Sequence, residues 1–198
     1  MDNIIRQTTE LAMHIVRAYV KPSDTVIDAT CGNGHDTLAL AEMGPARLYA
    51  FDVQEAAVRA TTQLLEDNDY GKSIKSGRII IRQLGHEEMA GFLAGDGGQS
   101  AAQVKAVVFN LGYLPGGDKD ITTKADTTLA AVRSAMDLLQ PDGLICITMY
   151  SGHAEGKQEK ENLLDFAAGL DAGKWHTAYV SMPNQKHDPP EVLLITRK

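Results

Sequence analysis

Short, dense apolar runs alternate with longer stretches of mixed polarity along this chain, and the alternation predicts its elements. From Ile4 to Val20 the apolar positions Ile4, Ile5, Leu11, Ile15, Val16 and Tyr19 recur at roughly helical spacing, with Thr8, Thr9 and His14 interrupting or flanking that face. Lys21-Pro-Ser-Asp24 reads as the turn that ends this helix and leads to a strand opening at Val26 and Ile27. A glycine turn follows, and Leu38 to Ala41 continues with helix formers. Leu48 to Asp52 predicts the second strand, and Gln54 to Asn68 an amphipathic helix with Ala57, Val58, Leu64 and Leu65 towards the core. Tyr70 to Gly77 reads as a polar connection.

Arg78 to Arg82 predicts a third strand ending at Gly85-His86, Glu87 to Leu93 a short helix, and Gly95 to Ser100 a loop. Val104 to Phe109 is a fourth strand that stops at Asn110-Leu-Gly-Tyr-Leu-Pro115. A helix from about Thr123 to Leu139 ends at Pro141-Asp-Gly143, and Leu144 to Met149 is the fifth strand. Lys157 to Gly169 is a charged helix, and Trp175 to Met182 and Glu191 to Arg197 are two strands joined by a proline-bounded loop. Five βα units and a closing strand pair predict an α/β fold: a Rossmann-like, doubly wound, mostly parallel sheet ending in an antiparallel pair. Ligands of such sheets bind at the carboxyl ends of the strands. That edge would carry Gly32-Asn-Gly34, Asp52, Gly85-His86 and Asn110-Leu-Gly112.

Composition narrows this picture. With 198 residues, 43% of them hydrophobic, the chain is expected to form one domain, residues 1–198, with a core that needs no disulfides. Two cysteines, Cys31 and Cys146, suit a reducing cytosol. No apolar run approaches the ~20 residues that span a bilayer, and no signal-peptide pattern opens the chain. No His, Cys, Asp and Glu cluster has metal-ligand spacing. A net charge of -7 argues against a broad nucleic-acid surface but leaves room for a local one.

The candidate chemistry centres on Val26-Ile-Asp-Ala-Thr-Cys-Gly-Asn-Gly-His-Asp-Thr37. Strand, glycine turn and helix start form the layout of a nucleotide-type site, where glycine lets the backbone approach a ligand. A dinucleotide would want a third glycine at position 37, where this chain has Thr37, and an uncharged helix start for its pyrophosphate. Asp28 and Asp36 would repel a pyrophosphate; they suit S-adenosylmethionine, which carries an ammonium and a sulfonium group. Asp52 ends the next strand 18 residues after Gly34, about the offset of ~20 at which an acid meets ribose hydroxyls. The plain alternative is that Asp28 and Asp36 are turn and cap residues of an ordinary α/β protein.

Four segments, Asp28-Ala-Thr-Cys-Gly-Asn-Gly-His-Asp36, Phe51-Asp-Val-Gln54, Asn110-Leu-Gly-Tyr-Leu-Pro-Gly-Gly-Asp118 and Gly152-His153, carry a closer resemblance. Over nearly its full length the chain resembles class I S-adenosylmethionine-dependent methyltransferases. More narrowly it is similar to the bacterial family labelled "putative rRNA methylase", which includes the tRNA 5-(aminomethyl)-2-thiouridine methyltransferase. Gly152-His153-Ala-Glu-Gly156 departs from the proline-containing form expected there. The resemblance implies the class I methyltransferase fold and a cofactor site of Cys31, Gly32, Asn33, Gly34, Asp36, Asp52, Gln54, Gly85, His86 and Asn110. The implied substrate is the aminomethyl group of a wobble 5-aminomethyl-2-thiouridine in a tRNA anticodon stem-loop, and the product its methylaminomethyl form.

On that implication Asn110 and Tyr113 are the catalytic pair. Asn110, with the Leu111 carbonyl, would accept hydrogen bonds from the amine, and Tyr113 would stack on or bond to the flipped base. Leu111 and Gly112 stand where base-amine methyltransferases usually carry two prolines, which speaks against a planar exocyclic amine. Asp118, His153, His187 and bulk water all remain compatible as proton acceptor or base. Lys119, Lys124, Lys157, Lys160 and Lys186 are candidates for a local RNA-binding patch. An rRNA or small-molecule amine substrate, or a non-catalytic cofactor-binding module, stays open, as does a homodimer.

Overall fold

The computed structural model describes residues 6–95, 103–112, 123–152, 154–186 and 188–198. Its seven strands are β1 (Thr25–Asp28), β2 (Arg47–Asp52), β3 (Ile79–Gln83), β4 (Val104–Asn110), β5 (Leu139–Met149), β6 (Trp175–Val180) and β7 (Glu191–Arg197). They lie in one sheet in the order β3-β2-β1-β4-β5-β7-β6. Neighbours from β3 to β5 pair in parallel, whereas β7 runs antiparallel to both β5 and β6. This is the doubly wound α/β sheet that the alternation of runs predicts. The switch point falls between β1 and β4, because the chain winds outward from β1 to β3 and then returns to β4.

The helices are α1 (Thr8–Tyr19), α2 (His35–Glu42), α3 (Glu55–Asp67), α4 (Gly71–Lys75), α5 (Met89–Gly95), α6 (Ala125–Leu138) and α7 (Ala154–Ala168). Successive strand residues point to opposite faces, and here both faces are apolar. Val26, Leu48, Ala50, Ala106, Val108 and Cys146 pack in the cluster that includes residues of α1, α2 and α3. Ile27, Tyr49, Phe51, Val107, Phe109 and Ile147 pack in the other, with residues of α5, α6 and α7. A parallel strand covered on both sides reads as a continuous hydrophobic run, which is why these strands stand out in the sequence.

Some details differ from the expected elements. The buried face of α1 is Thr8, Ala12 and Val16, each four residues apart, with Ile15 only partly buried. The buried face of α3 is Ala57, Thr61 and Leu65. The polar connection after Tyr70 contains the short helix α4. Helix α6 stops at Leu138, and β5 begins one residue later. Opposite β4 its register jumps from Leu139 to Leu144, so residues 140–143 bulge out around Asp142 at φ 58. Lys105 donates to the carbonyl of Asp142 at 2.7 Å and holds that bulge. Pro141 therefore sits where the ladder asks for no N–H.

Candidate active site

The carboxyl ends of β1 to β5 converge on a cavity of about 450 Å3 above the β1–β4 switch point. That lies within the roughly 300–1,000 Å3 of small-molecule sites. Its floor is the glycine turn after β1. Cys31 donates its N–H to the Phe51 carbonyl at 2.8 Å, and Gly34 donates to the Cys31 carbonyl at 2.7 Å. Thr61 of α3 donates its hydroxyl to the Gly32 carbonyl at 3.0 Å. A side chain at Gly34, where φ is +87, would put its Cβ 2.8 Å from the Thr61 Cα. Gly34 is therefore required by the packing of α3 under the turn, while Gly32, at φ +50, lines the cavity itself.

Asp52 is fixed at both oxygens. Oδ2 accepts the N–H of Gly32 at 3.0 Å and Oδ1 the N–H of Gln54 at 2.9 Å. A carboxylate oxygen has further lone-pair capacity, so the group can still accept from a ligand's hydroxyls. Val53, beside it, is an apolar side chain left 54% exposed on the cavity wall, with Leu84 also lining the wall. His86 lines the same cavity, is nearly buried, and packs edge-on against Phe109 with ring centroids 5.9 Å apart. Burial lowers its pKa, against the opposing charges of Glu87 and Asp52.

Two carboxylates were expected to face the positive charges of a ligand, and they take different places. Asp36, in the first turn of α2, lines the cavity. Burial raises its pKa, while the hydrogen bond from Asn110 opposes the rise. Asp28 is fully buried and belongs to the scaffold, contrary to that expectation. It accepts the Thr37 hydroxyl at 2.5 Å and the Thr30 N–H at 3.2 Å. Burial, reinforced by the charge of Asp36, pushes its carboxyl up to about 7. Thr37, in the position a dinucleotide site reserves for glycine, is spent on this internal bond.

Across β1 from Asp52 stands Asn110, the last residue of β4. Its N–H donates to the Thr30 hydroxyl at 2.7 Å, and its side-chain Nδ2 donates to Asp36 Oδ2 at 3.1 Å. Tyr150, just after β5, shares a hydrogen bond with the Asn110 amide, and burial raises its pKa. The next residues are tied down as well: Leu111 donates to the Thr148 carbonyl at 2.9 Å. Gly112 and Thr123 bond each other, Gly112 N–H to the Thr123 hydroxyl at 3.0 Å and Thr123 N–H to the Gly112 carbonyl at 3.2 Å. The Thr123 hydroxyl in turn donates to the buried Glu159 at 2.9 Å.

Of the site residues expected from sequence, Cys31, Gly32, Asn33, Asp36, Asp52, Gln54, His86 and Asn110 line this one cavity. Gly34 and Gly85 stand behind the lining; both are buried, and Glu87 folds over Gly85. Cys31 is a free, buried thiol whose pKa burial drives upward, so it is a packing residue rather than a nucleophile. Tyr113, Asp118, Lys119, His153 and His187 lie outside the described residues. Of the candidate lysines, Lys124 lines the cavity mouth, Lys157 and Lys186 are exposed, and Lys160 is paired with Glu191. Among the described residues no group of three His, Cys, Asp or Glu side chains could hold a metal ion, and no helix is long and apolar enough to cross a membrane.

Tyr150, Thr30 and Val53 also line the wall without having been expected there, whereas Lys124 stands at the mouth as the proposed basic patch required. Tyr150 follows the fifth strand just as Asn110 closes the fourth, and that strand-end position is the signal in the sequence that marks it.

Residues 48–196 match the family model described as "Putative rRNA methylase". The chain belongs to this family. It is 36% identical over 98% of its length, and 70% of the other protein's, to the chloroplastic tRNA (mnm(5)s(2)U34)-methyltransferase of Arabidopsis thaliana. Among solved structures, a "putative rRNA-methylase" of Clostridium thermocellum is 35% identical with a TM-score of 0.87, over 98% of both chains. A "putative methyltransferase" of Streptococcus mutans in complex with SAH is 28% identical with a TM-score of 0.83, over 98% of this chain and 99% of that one. The sheet described above, with its closing antiparallel pair, is the class I methyltransferase fold.

Proposed function

We propose that this member of the family is an S-adenosylmethionine-dependent RNA methyltransferase. Its substrate on this reading is the aminomethyl group of 5-aminomethyl-2-thiouridine at the tRNA wobble position, and its product is 5-methylaminomethyl-2-thiouridine. The Arabidopsis relative, named for that nucleoside and similar along almost the whole chain, supports the choice of substrate. The observation that carries the chemistry is the Asn110–Asp36–Tyr150 cluster, set across β1 from the Asp52 turn in a single cavity.

The residues fit the cofactor. On this reading Asp52 accepts from the ribose hydroxyls, and Val53 and Leu84 offer an apolar surface to the adenine, with His86, whose pKa burial lowers, beside them. Gly32, Asn33 and Gln54 shape the backbone around the ligand, and Asp36 lies where a positive charge would be held. S-adenosylmethionine, when bound, supplies a sulfonium methyl that a neutral amine attacks, the C–S bond breaking as the C–N bond forms.

The protein's share is alignment and proton handling. Because the Asn110 Nδ2 is committed to Asp36, the side-chain Oδ1 and the Leu111 carbonyl are the acceptors left to aim an amine's lone pair. Holding reactants in a near-attack arrangement is the main demand of such a transfer. Asp36, held above the ordinary carboxylate range by burial, can take the proton the methylated amine must lose. Tyr113 keeps its proposed part as an aromatic face for the unstacked base. The two free cysteines fit a cytoplasmic, reducing setting.

Single-turnover methylation of tRNA bearing 5-aminomethyl-2-thiouridine, followed by nucleoside mass spectrometry, tests this reading. Asn110→Ala is expected to lower the rate on the order of 10²-fold, as misplacing a reacting group does, with cofactor affinity little changed. A wild-type rate in that variant would reduce the Asn110 segment to a turn and overturn the catalytic assignment.

A further inference from the structure

A second depression, of about 270 Å3, adjoins the active site, and the two share one wall, Tyr150. One side is the start of α1, with Arg6 and Thr8; the other is the loop between β6 and β7, with Gln185 and the Pro189–Pro190 pair. Three features mark it as more than a crease. Among the described residues no side chain caps α1, whose N-cap is Gln7, and the first amides of a helix have no intrahelical acceptor. Thr8 is 2% exposed, and its hydroxyl is buried without a hydrogen-bond partner. Such a group costs free energy unless something supplies the missing partner. Finally, Arg6 is two-thirds exposed and bonds Glu10 through one guanidinium nitrogen at 2.5 Å, leaving its other donors unspent in that pair.

Uncapped amides, an orphan hydroxyl and a guanidinium together suit a phosphate. Tyr150 and the paired prolines offer flat apolar surfaces of the kind that receive a sugar or an unstacked base. The carboxylate of Glu10 is the opposing charge in the same turn, and Arg6 already neutralises it. A ligand filling both cavities would have two units separated by the width of one tyrosine. Single-stranded RNA has that form, with a nucleotide on either side of each phosphate.

We infer that this groove binds the nucleotide next to the one being methylated, with the connecting phosphate at the start of α1 and Tyr150 standing between the two bases. The inference rests on the RNA reading above and goes beyond it by assigning where the neighbouring nucleotide sits. It gives a markedly acidic protein a local means of holding RNA.

The test uses the full-length protein and an anticodon stem-loop carrying 5-aminomethyl-2-thiouridine, natural or with one neutral methylphosphonate beside the wobble nucleotide. Arg6→Gln is exposed and safe for folding; Thr8→Val removes the orphan hydroxyl at constant shape. Each variant is expected to raise the KM for the stem-loop roughly tenfold, the low end for a charge-assisted hydrogen bond, while affinity for S-adenosylmethionine stays the same. The methylphosphonate should raise KM similarly in the wild type and add little in Arg6→Gln, because both remove one contact. A KM unchanged in both variants, or independent losses from protein and RNA changes, would overturn the groove assignment while leaving methylation of the stem-loop intact. A wild-type protein that binds cofactor yet never methylates the stem-loop would overturn the RNA reading and this inference together.

Discussion

At the scale of single residues, the least expected finding is that Asp28 serves the scaffold. Its carboxyl is held near 7 by burial and by the neighbouring charge of Asp36, against the hydrogen bonds from Thr37 and Thr30. An unfolded aspartate titrates near 3.8. Between those values the unfolded chain has lost a proton that the folded chain keeps, so stability falls as pH rises, by at most about 1.4 kcal/mol per pH unit. Below the lower value the contribution is complete, and above about 7 it is gone. Asp28→Asn cannot ionise and removes this slope. Urea unfolding at pH 5, 6, 7 and 8 should show the wild type losing stability relative to Asp28→Asn up to pH 7, then a constant difference. A difference that is flat from pH 5 upward would mean that Asp28 ionises as freely in the fold as outside it.

At the scale of elements, the sequence was most legible where a single periodicity ruled. The central strands are covered on both faces, so their apolar runs announced themselves, and their ends located Asp52 and Asn110. Legibility failed where polar side chains do interior work. Thr8 and Thr61 occupy buried positions on α1 and α3, Thr61 because it fits beneath Gly34 and bonds Gly32, Thr8 with its hydroxyl left unpartnered among the described residues. Hydrophobicity alone assigns such residues to the surface. Glu159 is the extreme case: a charged residue in the polar-looking α7, 4% exposed, accepting the hydroxyls of Thr123 at 2.9 Å and Thr128 at 2.6 Å. Through Thr123 it anchors Gly112, two residues past Asn110, to α7. Glu159→Ala should destabilise the fold by about 1–3 kcal/mol, the cost of leaving such partners unsatisfied, and should also lower single-turnover methylation. Thr128→Val breaks the other bond, away from Gly112, and should cost stability alone. Equal losses of turnover in both variants at matched stability would show that Glu159 acts on packing and not on the Asn110 segment.

At the scale of the whole molecule, a net charge of -7 constrains how the proposed RNA substrate would be held. A protein of that charge gains little from general attraction to phosphates, so affinity has to come from a few placed cations. On the proposed reading Lys124 at the cavity mouth and Arg6 at the neighbouring groove would supply them, and Lys157 and Lys186 are exposed. Lys160 is not, because it is paired with Glu191, which also accepts from Tyr179. Three or four phosphate contacts to a single-stranded loop give a slope of log affinity against log salt of roughly −2 to −3, at about −0.7 per contact. Lys124→Gln should make the slope shallower by about one such step, roughly 0.7, and Lys160→Gln should leave it unchanged. Filter binding of an anticodon stem-loop across a salt series measures this directly. A slope several times steeper would require a broad basic surface that this charge balance does not provide. A flat response would remove phosphate contacts from the account altogether and turn the search towards a small amine as the substrate.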